Sequence, residues 1–106
     1  MTPAELRENL DVLYERCGCL SGGYEHVAPF ADVVAEGAGV APTVLRDLAR
    51  GDARAHPHVI FALLRNVFPD DVPRVDPSDY GRYAVVRAAW LEWGVARGFL
   101  ARGGTP

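Results

Sequence analysis

Proline sets the frame of this chain. A proline stands at or near the start of each of five stretches in which apolar residues recur every three or four positions. In the first turn of a helix proline is tolerated, because its missing N–H has no intrahelical partner there; further inside it breaks the helix. The pattern therefore predicts an all-α chain of about five short helices. Thr2 as N-cap, Pro3 at N1 and Glu5 at N3 form a capping box for the first, with Leu6, Leu10, Leu13, Tyr14 and Cys17 at helical spacing and Gly18 as its end. Cys19–Val27, with Ser21-Gly22-Gly23, reads as a loop with one irregular turn. A second helix is expected from near Pro29 through Phe30, Val33 and Val34 to Gly37, with Gly39 in the left-handed conformation that follows a helix end. The third has Pro42 at N1, Val44, Leu45 and Leu48 inward, and Gly51 as its stop. His56-Pro57 opens the fourth, which buries Ile60, Leu63, Leu64 and Val67 and stops before Pro69. After a stiff connector, Pro69–Pro73, the run Asp76-Pro77-Ser78-Asp79 is expected to cap a fifth helix ending near Arg97. One helical domain over 1–102 is predicted, with a disordered tail from Gly103 to Pro106.

Length and charge narrow the function classes. A chain of 106 residues supports one modest core, and no apolar run approaches the 18 or so residues needed to span a bilayer. Met1–Glu5 shows neither a basic n-region nor an apolar h-region, so a cytoplasmic protein is expected and a membrane partner is not. All eleven basic residues are arginine and the net charge is −3. Residues 1–28 carry two Arg against five acids; 29–68 balance four against four, and 69–106 five against five. The whole-chain basic footprint usual in nucleic-acid binding is missing, although a local basic face can serve. Cys17, Cys19 and His26 lie close in sequence, but zinc takes four ligands, usually in pairs such as C-x2-C, and nothing supplies the rest. No metal site and no cofactor are expected; the cysteines read as small thiols at a helix end.

Residues 34–67 carry the most information. Val34-Ala35-Glu36-Gly37-Ala38-Gly39-Val40-Ala41-Pro42-Thr43-Val44-Leu45-Arg46-Asp47-Leu48-Ala49-Arg50-Gly51, then Pro57 and an amphipathic helix, resembles the lambda-repressor-like (Cro and xenobiotic-response-element) helix-turn-helix family. The resemblance covers about a third of the chain without a gap. It implies a central helix-turn-helix over about 29–68, with the segment 77–97 as an added C-terminal helix. It also assigns roles: Ala35 small where helices two and three approach, Gly39 at the tight turn, Val40, Leu45 and Leu48 pinning helix three. Three departures stand out. Ala41 replaces the usual Ser or Thr N-cap, forgoing about 1 kcal/mol; Ala49 replaces the usual Glu; Pro29 stands close to where members of that family carry a phosphate-contacting Ser-Gln.

In such a module helix three enters the major groove N-terminus first. The resemblance thus implies base contacts from Pro42, Thr43, Arg46 and Asp47, with Arg46 suited to guanine O6/N7. Arg50, Arg54 and His58 fall where phosphate contacts would position the module. A competing reading makes these arginines a solvated face, with Asp47 paired to Arg50 or Arg54. On the fifth helix one stripe holds Ala84, Ala88, Leu91, Val95 and Phe99, and a second holds Tyr83, Val86, Trp90 and Trp93. One stripe suffices for a small core, so the second is expected either to form a homodimer interface or to lie under helix one. The His residues are scattered and no nucleophile-base constellation is present, so no enzyme is expected. Two functions stand: a dimeric helix-turn-helix regulator binding double-stranded DNA, or an adaptor, inhibitor or antitoxin-like module that keeps the fold and binds a protein partner.

Overall fold

In the computed structural model the chain is all-helical, and residues 1–18, 20, 22–51 and 56–101 are described. The expectations for Cys19, Ser21, Asp52, Arg54 and the tail from Gly103 lie outside that set. Five α-helices follow one another: α1 Pro3–Cys17, α2 Phe30–Ala35, α3 Ala41–Arg50, α4 Pro57–Val67 and α5 Tyr83–Ala96. Short 3-10 turns intervene at Tyr24–His26, Gly37–Val40 and Pro77–Asp79.

The start of α1 follows from its capping box. Thr2 Oγ1 accepts from the Glu5 N–H and Glu5 Oε1 accepts from the Thr2 N–H, both at 3.1 Å. Leu10, Leu13, Tyr14 and Cys17 are buried, with Leu6 packed at the margin. In α4, His56 caps the first turn, its Nδ1 accepting from the Val59 N–H at 3.4 Å. Burial and the neighbouring His58 hold the His56 imidazole below its ordinary pKa, which favours the neutral, accepting form. The six residues Val59–Leu64 are all buried. A helix apolar all round belongs in the middle of a structure, and α4 is that middle: α2 and α3 both pack on it, while α1 closes over α2 and α5 over α3.

Two connections differ from the sequence expectation. The left-handed residue after α2 is Gly37, at φ +71°, and not Gly39. The chain then runs through the 3-10 turn into α3 without an extended residue: Val40, at its N-cap, is already right-handed. The missing Ser or Thr cap is explained by this geometry, since the Ala41 N–H finds the Ala38 carbonyl instead. Ala41 is buried, whereas Ala35 is exposed, so Ala35 marks no close helix approach. Tight packing falls elsewhere, at Gly94. A Cβ there would sit 2.8 Å from Leu45 Cδ1 and 3.2 Å from Leu100 Cδ1.

The fifth helix also starts later than expected. Asp76 Oδ1 takes the Ser78 N–H and hydroxyl and closes only a 3-10 turn; the chain bends again through Gly81 before α5 begins at Tyr83. Beyond α5 the chain hooks back, with the N–H groups of Phe99 and Leu100 both donating to the Gly94 carbonyl. That hook and the connector after α4 cover the C-terminal end of the aromatic stripe, at Trp93. Trp93 packs its ring at 4.9 Å from Phe68 and 5.7 Å from Phe99, and its Nε1 donates to the Asp71 carbonyl at 2.9 Å. Arg97 lies over the same indole, 4.7 Å from its ring, and pairs with Asp71. Trp90 and Trp93 are 3% and 4% exposed, so they belong to the core of one chain and not to a subunit interface. Nor does α1 supply the cover, because Phe68, Asp71 and Phe99 do.

Candidate functional site

The outward face of α3 follows from its amphipathic sequence. Val44, Leu45 and Leu48 point inward and are buried; Arg46 and Arg50, one turn apart, are exposed. Pro42 and Thr43 are only half-buried residues at the base of that face, since the 3-10 turn brings the helix start down onto the domain. Gly51 closes α3 in the left-handed conformation, at φ +66°, as its sequence position predicts. A second device at this end was not anticipated. Arg87, from α5, donates to the Leu48 and Ala49 carbonyls at 3.2 and 2.9 Å. A cation on the last carbonyls of a helix satisfies orphan acceptors and complements the helix dipole.

Asp47 requires a correction. It is 6% exposed and makes no part of a contact surface. Its Oδ2 accepts from the Tyr14 hydroxyl at 2.8 Å and its Oδ1 from Arg7 Nη1 at 3.0 Å, so its partners lie on α1 and not at Arg50. Arg7 also holds Asp11, through Nε and Nη2. Burial, and after it the Asp47 charge, push the Tyr14 hydroxyl well above its ordinary pKa. Sequence reasoning passed over Arg7 and Tyr14 because no local spacing connects them to a carboxylate 40 and 33 residues away, respectively. The consequence for the site is electrostatic. With its one acid turned inward and paired, α3 presents Arg46 and Arg50 as the only charges on its outward face.

His58 is exposed, and it also has aromatic neighbours that the sequence did not suggest. It sits in the first turn of α4 with its ring 5.9 Å from Phe61 and 6.5 Å from Tyr83. It therefore belongs to an aromatic cavity of about 430 Å³ between α4, the connector after it and the first half of α5. The structure thus brings together residues that the sequence assigned to two different surfaces: His58 with Tyr83, Val86 and Trp90. Of the expected α5 interface, only Tyr83 is exposed, with Val86 half-buried. Arg54 lies outside the described residues.

Cys17 is fully buried, and burial pushes its thiol up from the ordinary pKa; His26 is exposed. Among the described residues no group of three or more His, Cys, Asp or Glu side chains is placed to hold a metal ion. None of the described helices is long and apolar enough to cross a membrane. No protein-family model, curated protein or solved structure matches the chain.

Proposed function

We propose that the protein is a small helix-turn-helix regulator that presents α3 to double-stranded DNA and acts as a dimer. One observation carries the reading: the outward face of α3 bears Arg46 and Arg50 with no acid among them, because Asp47 is buried against Arg7 and Tyr14. A guanidinium on the outward face of such a helix, as at the mid-helix Arg46, suits guanine in the major groove, and one a turn later suits a phosphate. Few cations per chain imply a shallow salt dependence, at about 0.9 in logarithmic slope per phosphate neutralised. Two copies on half-sites about 34–36 Å apart would make up the affinity.

A second reading, an adaptor that binds a protein partner through this fold, has its own support. The half-buried Pro42 and Thr43 hold the start of α3 low on the domain, where a helix that enters a groove normally protrudes. Fluorescence anisotropy separates the two, using duplexes enriched from a random pool at 50 mM and 150 mM salt. Under the DNA reading the double variant Arg46→Ala, Arg50→Ala stays folded and binds measurably more weakly, with the salt slope falling by about 2. Arg46→Ala alone costs about 1–3 kcal/mol on the enriched site and less on random DNA. A double variant that binds like the parent, or a parent that binds no duplex at 50 mM salt, transfers the assignment to the adaptor.

A further inference from the structure

Of the large hydrophobic residues exposed among the described residues, three are grouped: Val72, Tyr80 and Tyr83 all line the cavity between α4 and α5. Tyr80 is 67% exposed and marks its rim. Deeper in, Phe61 and Tyr83 pack against each other with ring centroids 6.2 Å apart, and Trp90 closes the inner wall. At about 430 Å³ the space falls in the range of small-molecule sites, which are apolar clefts with a few placed polar groups, and is too small for a helix.

The charge of the lining identifies the ligand class. In a chain of net charge −3, no Asp or Glu lines this cavity. Arg65 does, and it forms no ion pair with another described residue. Guanidinium is charged at every physiological pH and matches a carboxylate in geometry. We infer that the cavity between α4 and α5 binds a small aromatic carboxylate, its ring against the wall formed by Phe61, Tyr83 and Trp90 and its carboxylate on Arg65. The site is independent of the α3 face and holds whether or not the protein binds DNA.

The probe is 1-naphthoate, with neutral 1-naphthamide and cationic 1-naphthylmethylammonium as shape-matched controls, titrated into the isotopically labelled full chain. Binding is read from the Trp90 indole and Tyr83 amide resonances. The expected result is a saturable shift at both residues with naphthoate, and affinities at least about fivefold weaker for the two controls, the contribution of one exposed ion pair. Arg65→Gln, at an exposed position, leaves the circular dichroism unchanged and brings naphthoate and naphthamide within about twofold of each other. Val86→Trp, which fills the cavity, removes naphthoate binding while Arg46→Gln, outside the lining, does not. No shift at Trp90 up to the solubility of naphthoate overturns the inference, as does equal binding of the three probes or a carboxylate preference that survives Arg65→Gln. Shifts at Tyr83 on raising the protein concentration alone would assign the face to a second copy of the chain instead.

Discussion

Asp47 shows what a single side chain decides. A helical period of 100° per residue sets position 47 about 60° from Val44, on the flank of the buried stripe. Its charge argues for the opposite face, and the conflict is resolved only by Tyr14 and Arg7, which arrive from α1 to satisfy it. A buried carboxylate so held is costly to disturb. Asp47→Ala leaves the Tyr14 hydroxyl without its acceptor, and is expected to cost about 1–3 kcal/mol in urea denaturation. The half-exposed Arg7 retains Asp11, which limits the loss. The same contact predicts an alkaline limit. The Tyr14 pKa is raised in the folded chain, so its contribution is fully present below the unfolded value of about 10 and is lost as pH rises beyond it. Tyr14→Phe should therefore lower stability near pH 7 and make its decline above pH 10 shallower. An equal alkaline decline in that variant would place the sensitive group elsewhere.

At the scale of elements, the helices themselves were legible and their junctions were not. Proline, glycine and apolar spacing located α1, α3 and α4 because each signal acts within one or two turns of chain. The α2–α3 junction holds two glycines, Gly37 and Gly39, and either can adopt a left-handed conformation. Which one does depends on how far Val40 and Ala41 must drop to reach the core. The break between Asp79 and Tyr83 is of the same kind, since an Asp-Pro-Ser-Asp run caps a 3-10 turn as readily as a longer helix. Packing between α3 and α5 gives the sharpest test at this scale. Gly94→Ala puts a methyl 2.8 Å from Leu45 Cδ1. Both that atom and Leu100 Cδ1 are ends of flexible side chains, so the helices separate slightly instead of failing to pack. An overpacking cost of about 1–3 kcal/mol is expected in thermal or urea unfolding, against the gain of about 1 kcal/mol if Ala only improved helix propensity. A stabilised variant would show that Leu45 and Leu100 yield to the added methyl without loss of packing.

Over the whole molecule, the two tryptophans test how the C-terminal helix is held. Trp93→Glu places a carboxylate among Phe68, Trp90 and Phe99 and removes the donor to the Asp71 carbonyl. Truncating a buried Trp costs about 3–5 kcal/mol, and burying an unpaired charge adds to that. Against a total stability of about 5–15 kcal/mol, the variant should lose most of its helical circular dichroism at 25 °C. A variant that remains fully helical and only changes its sedimentation would return Trp93 to an intermolecular surface. What the sequence determined by itself is everything that rests on neighbours in the chain: the all-α class, five helices, the capping box of α1, the Gly51 stop of α3, and the inward faces of α1, α3 and α4. The tertiary structure alone decided what depends on residues far apart. It turned Asp47 to α1, laid Phe68 and Phe99 over Trp93, and joined His58 to Tyr83 around one cavity. Helical periodicity says which side of a helix is apolar; what meets that side is set by loop paths and by how the remaining chain fills the space, and no local signal records either.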